Sequence, residues 1–536
     1  MIQSCRFNYL LNDTLHPVRR IENLRKIKFE AQPDTDNAIW QACFFSFACT
    51  SYNRCSMKQY NRSSFFSFVR SQDVRLEMYS TLMLFIIVYL LILWIYPLPN
   101  IYADTGAYIT VAETKLIGNF RPPGFSWFLA MIHSISPNPD VLVLVQLILY
   151  FASTLFFYLT VRYFFPEGKR AWWKIFFFIF LLAPVCIYLC NFAISDALFI
   201  ALTNFWVASL LWMMGTRKVS VIICSAVLLI LVMQVRYIAL FYPAISVFAI
   251  FLAYFKANKL RFFFLSALQV VIFFGVIFFT TWQTKKNINV AVLSGFSGWQ
   301  KANNAMHVLP YINLKPEDIK DPEISRMHAF ILANNKFYPA KDSIVIFYLW
   351  SPDSPFKKYM NELRRGWKAS YLYYWHLSSI ALGKWGDFIM KKYPALYFRH
   401  YIMPNFLLLS KLPNEALFYF PPYSGQMKKW FQCKECDATP RYTFFHEFLA
   451  ATASKSFNIL WLFLFLSCVA LCFRSKLNCT SQQYNMILVV SFFCILYTAM
   501  SVYASPIVLR YLLAIRHSLL LIPFLVTIHL SHRRKN

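Results

Sequence analysis

From Tyr79 onward the chain is dominated by apolar runs long enough to cross a lipid bilayer. We read spans over 79–97, 140–162, 174–191, 194–214, 219–235, 237–255, 262–282, 457–473, 484–503 and 508–530. Each has roughly 17–25 residues, the length that an ~30 Å hydrocarbon core demands. Lipid offers no partner to backbone N–H and C=O groups, so each run must close its own hydrogen bonds as a helix. The expected fold class is an all-α polytopic membrane protein with about ten (nine to twelve) transmembrane helices. Composition agrees. Charged residues make up 14% of the chain and hydrophobic ones 58%, whereas soluble domains carry about 25% charge. The fifth and sixth spans abut, and Gln234, Arg236, Tyr237 and Pro243 mark the break between them.

The net charge of +29 could suit nucleic acid, but the basic residues fall in short turns between spans and not along one stripe. We expect no nucleic-acid partner. With a cytoplasmic N-terminus, the inner turns hold Arg162, Lys169, Arg170 and Lys174; Arg217 and Lys218; Lys256, Lys259 and Arg261; Arg474 and Lys476; and Arg533, Arg534 and Lys535. The short outer loops hold only Lys115, Arg121, Arg236 and Arg510. This asymmetry satisfies the positive-inside rule. It divides the chain into a basic, poorly ordered cytoplasmic extension (1–77), a core of seven spans (78–282) with its first external loop at 98–138, an external region (283–456), and three C-terminal spans with a basic tail (457–536). Aromatics beside Lys and Arg in the external region suit the membrane–water interface. Interfacial helices are expected in the first loop and near 355–380 and 382–400, with membrane lipids as partners. There is no internal repeat and no sign of paired broken helices.

The outer charges are the informative ones. Arg236 and Arg510 stand at the ends of apolar spans, where an ionisable residue is a functional hypothesis by default. A guanidinium fork fits phosphate oxygens, although each arginine reads equally as one that snorkels to headgroups. Asp104 follows the first span and shares a helix face with Tyr108. It is a candidate general base or, more blandly, the cap of an interfacial helix. Asp196, after Ser195 at the start of the fourth span, is at least as well read as a cap. Glu113 points elsewhere. Arg121-Pro122-Pro123-Gly124 is a stiff corner returning the loop to the second span. His400, beside Arg399, is the histidine to test for phosphate contact. Cys433 and Cys436 form a lone CxxC, read as a local disulfide or nothing before a zinc site. No metal set is legible; two carboxylates would allow a shared divalent cation, the one cofactor left open.

These residues resemble a family. Asp104 in the first external loop, followed by Arg121-Pro122-Pro123-Gly124-Phe125, is similar to the GT-C superfamily of membrane glycosyltransferases. The likeness is to the branch of aminoarabinose transferases and protein O-mannosyltransferases. Ser195-Asp196, Arg236-Tyr237 and Arg510-Tyr511 match further positions of that pattern. The likeness covers residues 79–282 well and 484–530 loosely. It departs at Thr105, where some relatives carry a second acid. The resemblance implies a GT-C fold in a bacterial inner membrane and an inverting transfer from a polyprenyl-phosphate-linked sugar donor to a lipid, glycan or protein acceptor. Asp104 would be the base, with Asp196 the second catalytic candidate. Arg236, Arg510 and His400, or Lys391 and Lys392, would hold the donor phosphate. Tyr108, Arg121, Tyr237 and Tyr511 would shape the loop or touch substrate. A multi-pass transporter or lipid flippase, or an O-antigen-type polymerase, is the competing expectation.

Overall fold

The computed structural model describes residues 64–533 other than 119, 339–342, 367–368, 415–416, 434–435, 473–476 and 478. Most of the expected N-terminal extension (1–63) and the inner-turn residues Arg474, Lys476, Arg534 and Lys535 lie outside the described residues. The first long helix, α1 (Gln72–Ile95), starts seven residues ahead of the expected span. Its polar first turns are accommodated by ion pairs. Asp73 meets Arg170, and Glu77 meets Arg162 while accepting from the Tyr158 hydroxyl at 3.1 Å.

The loop after α1 carries two helices, α2 (Thr105–Thr114) and α3 (Gly124–Ile135). The spans that follow are α4 (Pro139–Phe164), an interrupted third made of α5 (Arg170–Leu181) and α6 (Pro184–Leu189), and α7 (Asp196–Thr216). Then come α8 (Val219–Val235), α9 (Tyr242–Tyr254) and α10 (Lys259–Ile288). The apolar window of α7 is 83% buried, which makes it the central helix; those of α1 and α10 are 17% buried, so both face outward. Eight helices are long and apolar enough to cross a membrane, so the expected count of ten is corrected to eight among the described residues. The other two expected spans are shorter. The 17 residues of α8 rise only about 26 Å at 1.5 Å each, and the 457–473 run is the end of a longer helix whose described apolar part is Leu460–Cys472.

The segment expected to be external, 283–456, departs from expectation more strongly. It builds its own core from Trp299, Tyr348, Phe356, Trp375, Trp385 and Tyr401. Its central pair is α11 (Ser297–Met306) and α12 (Tyr371–Lys392), and α12 runs unbroken through the point where two interfacial helices were expected. Glycines explain the close pairing. A Cβ at Gly298 would fall 1.7 Å from the Ser379 carbonyl oxygen, and one at Gly386 would fall 2.8 Å from the Ala302 nitrogen. A short helix, α13 (Gly425–Trp430), and the long α14 (Thr443–Cys472) lead back to the bundle, which closes with α15 (Ser481–Ala504) and α16 (Arg516–Arg533).

The elements that carry Asn304 and Asn405 are fastened to the end of α15. Helix C-termini leave carbonyls without intrahelical partners. Here the Asn405 amide donates to the Val502 and Ser505 carbonyls (2.7 and 2.8 Å), and the Asn304 amide to those of Tyr503 and Ala504 (3.3 and 3.1 Å).

The expectation of unbroken spans fails. The third span breaks at Leu182–Ala183, ahead of Pro184, and the last passes through a 3-10 turn at Leu513–Ile515. Proline lacks an N–H and cannot continue the ladder, and the nearby carbonyls find side chains instead. Tyr150 Oη donates to the Leu181 carbonyl (3.2 Å) and Arg516 Nη2 to that of Ile179 (3.2 Å), while His517 lies 3.4 Å from both Tyr150 Oη and Asn204 Nδ2.

Candidate functional site

The loop between α1 and α4 is stitched to the start of α7 by its backbone. Asn100 and Phe192 form a parallel bridge; Asn100 N–H donates to the Asn191 carbonyl (2.7 Å), and Ala193 N–H to that of Asn100 (3.0 Å). Thr105, fully buried, donates its hydroxyl to the Ala193 carbonyl (3.0 Å) and accepts from Tyr102 N–H (2.9 Å). The Tyr108 hydroxyl lies 3.0 Å from Ser195 Oγ. The residue that departs from the two-acid pattern is therefore a structural cross-link. A second seam lies at the rigid corner. A Cβ on Gly124 would sit 2.6 Å from the Gln234 carbonyl oxygen, so only glycine lets Arg121-Pro-Pro-Gly press against the 234–236 segment.

These seams bring two carboxylates and three guanidiniums together. Asp104 Oδ1 accepts from Arg121 Nη2 at 2.7 Å, and Asp196 Oδ1 from Arg236 Nη1. Arg510 Nη1 lies 3.7 Å from Asp196 Oδ2 and 3.9 Å from Asp104 Oδ2, so it joins the two pairs. Neither aspartate works as a helix cap. Asp104 occupies the N-cap of α2 and Asp196 the first turn of α7, yet neither helix receives a side-chain cap bond. The Tyr511 ring sits 5.6 Å from the Arg236 guanidinium and 5.5 Å from that of Arg510. Tyr102 lies 4.3 Å from Arg510, and Phe296 lies 5.4 Å from Arg121.

Burial alone would push the Asp104 carboxyl up. Arg121, Arg510 and Arg236 outweigh it and hold the group below its ordinary value. Burial first, and then Asp104, raise the Tyr108 phenol. Formally the cluster of three arginines and two aspartates carries 3 − 2 = +1.

A cavity of about 530 Å³ opens against this cluster. Tyr108, Arg121, Arg236, Tyr237 and Tyr511 line it, and so do Phe296, Gln300 and Lys301 at the start of α11 and Tyr497 of α15. Asp104, Asp196 and Arg510 stand behind that lining, in contact with it. His400 does not join them. It is buried in a stack on Tyr311, with ring centroids 3.6 Å apart, outside the lining. Lys391 and Lys392 close α12, also outside it, with Lys392 beside Phe388 and Tyr393. Glu113 accepts from Gln426 (2.8 Å), away from the cluster.

One participant was underestimated and one was not legible. Arg121, expected to shape the loop or touch substrate, is also the direct partner of Asp104. Lys301, paired with Asp387 at 2.8 Å, carries no motif. No group of three His, Cys, Asp or Glu side chains suited to a metal occurs among the described residues. Cys433 and Cys436 form a disulfide, one of the two readings left open for them.

No family model, no curated protein and no solved structure matches the chain.

Proposed function

We propose that this chain is a membrane glycosyltransferase of the GT-C type, moving a sugar from a polyprenyl-phosphate donor to a lipid, glycan or protein acceptor on the extracytoplasmic side. One observation carries the reading: a cavity whose walls are apolar side chains at the ends of spans and whose depth presents Arg121 and Arg236 beside a buried carboxylate. An amphiphile with an anionic head and an isoprenoid tail has that complementarity. Guanidinium forks would take the phosphate oxygens, and the residues at the span ends would take the first isoprene units. The disulfide supports the sidedness, because disulfides persist in oxidising compartments and Cys433–Cys436 belongs to the segment packed against the first loop.

The chemistry follows from the charges. The acceptor oxygen attacks the anomeric carbon from the face opposite the phosphate and inverts it. The carbon–oxygen bond to phosphate breaks, its electron pair leaves with the phosphate, and the acceptor proton passes to Asp104. Within the cluster Arg121, Arg510 and Arg236 make Asp104 a weak base, and general bases work best with a pKa near the operating pH. A donor phosphate competing for Arg121 removes that lowering influence and makes Asp104 more basic as the substrate arrives. Arg236 and Arg510 then bear the charge developing on the leaving phosphate.

The interrupted third and last spans favour a second reading, a transporter or flippase, since such folds place substrates at broken helices. Against it, the carbonyls near the break of the third span are occupied by Tyr150 and Arg516, and that span contributes no residue to the lining of the 530 Å³ cavity. Mass spectrometry of lipid-linked sugars and surface glycans in a deletion strain decides between them. A transferase leaves its polyprenyl-phosphate sugar accumulated and a glycan residue missing. An unchanged profile of both overturns the reading.

A further inference from the structure

The segment that carries the disulfide touches the loop between α1 and α4 at three places. Before α2, the Tyr423 hydroxyl donates to the Pro99 carbonyl (2.5 Å), and the Asn100 amide to that of Tyr419 (3.1 Å). On α2, Gln426 Nε2 donates to both Thr110 Oγ1 (3.1 Å) and Glu113 Oε2 (2.8 Å), and a Cβ on Gly106 would meet the Met427 methyl at 3.4 Å. On α3, the His133 ring stacks on Trp430 with centroids 3.9 Å apart. All three contact points straddle Asp104, the residue that opens α2.

The element making these contacts cannot hold itself. Helix α13 has six residues, too few to be stable without outside support. Two residues past its end Gln432 takes the left-handed region (φ 52°), and the Cys433 N–H turns back to the Lys428 carbonyl (3.1 Å). The bond between Cys433 and Cys436 closes the chain directly after this turn.

We propose that this segment is a positioning strap: Gln426 sets the placement of α2 and hence of Asp104, and the Cys433–Cys436 bond keeps Gln426 in place, so the site is competent only in the oxidised protein. The proposal rests on the reading of Asp104 as the acceptor's base. Reduction by a dithiol delivers two electrons and two protons, opens the sulfur–sulfur bond to two thiols and oxidises the reagent to its own disulfide. Released from closure, α13 loses the support that aligns Gln426 with Thr110 and Glu113. Gln426 is a positioning residue, since it reaches the chemistry only through α2.

Two measurements test this. Amide hydrogen exchange over 105–114 in the full-length protein should speed up at least tenfold after dithiothreitol treatment, with 197–213 unchanged; Cys433→Ser/Cys436→Ser should behave like the reduced protein. Equal exchange in both redox states overturns the strap, and this readout needs no activity. In transfer assays, Gln426→Glu sets two carboxylates against each other. It should lower kcat at least tenfold with KM for the polyprenyl-phosphate donor within twofold, and Glu113→Gln added to it should restore kcat by reversing the pair. Unchanged kcat in the single variant, or no recovery in the double, overturns the role of Gln426. Absence of transfer in the wild type defeats the transferase reading, and the exchange rates still decide the strap.

Discussion

Asp196 is the residue whose loss the structure makes most measurable. It is 2% exposed and faces two arginines, Arg236 in direct contact and Arg510 at 3.7 Å. Asp196→Ala takes the cluster from 3 − 2 = +1 to 3 − 1 = +2 and leaves Arg236 without its carboxylate. Breaking a buried pair by removing one partner costs about 3–5 kcal/mol, a large share of the roughly 5–15 kcal/mol by which folded chains are stable. Asp196→Ala/Arg236→Leu returns the count to 2 − 1 = +1, with Asp104 left to both Arg121 and Arg510. Removing a whole buried pair is often close to neutral, so the double variant should melt nearer the wild type than the single one does. The assay is thermal unfolding of the purified protein followed by tryptophan fluorescence. The single variant should also regain stability on adding a polyprenyl phosphate, because its site now has one more uncompensated positive charge and ligand binding stabilises by mass action. A single variant that melts with the wild type, or a double variant less stable than the single, would refute the charge count.

Three further outcomes are expected. Asp104→Asn should lower transfer by about 10²–10⁴-fold, the range of general-base catalysis, with a melting change smaller than that of Asp196→Ala. The lowered folded pKa of Asp104 means its stabilising contribution is present above the usual carboxylate range and is lost as pH falls through the lowered value. The acid limb of a melting-against-pH curve should therefore flatten in Asp104→Asn. Arg236→Ala should weaken polyprenyl-phosphate binding about tenfold or more, since a hydrogen bond to a charged group is worth about 1.5–3 kcal/mol; unchanged affinity by titration removes Arg236 from the phosphate site. Lys357, packed over Trp375 at 4.1 Å and Trp299 at 4.9 Å, is lowered by burial to about 8. The unfolded chain then binds more protons between about 8 and the ordinary lysine value, so stability should rise with pH across that interval. The rise should be missing in Lys357→Met.

Membrane spans rest on hydropathy and on the placement of charge, which act on each segment locally. Asp104, Arg236 and Arg510 were legible for that reason: a charge at the end of an apolar run stands out whatever it later touches. His400 shows the converse. Its neighbours in sequence suggested a phosphate contact, but Tyr311, 89 residues earlier, takes its ring face. Arg121 was underestimated because a bend and an ion-pair partner look alike until the far side of the pair is known. Likewise, the aromatic richness of 283–456 suggested helices lying on the membrane, whereas packing Trp299, Trp375 and Trp385 together gives those rings a better apolar environment than the interface does.

By itself the sequence determined an all-helical membrane chain and the residues that do not belong in lipid, because lipid solvation penalises every unsatisfied backbone group and every unpaired charge residue by residue. Tertiary structure alone decided which charges meet. Asp104 and Asp196 are separated by 92 positions and Arg510 by more than 300 from either. They converge because the Asn100–Phe192 bridge, the Gly124–Gln234 contact and the Asn405 clamp fix three separate loops at one end of the bundle. No local pattern encodes such a convergence, since its energy resides in contacts between segments that carry no mark of one another.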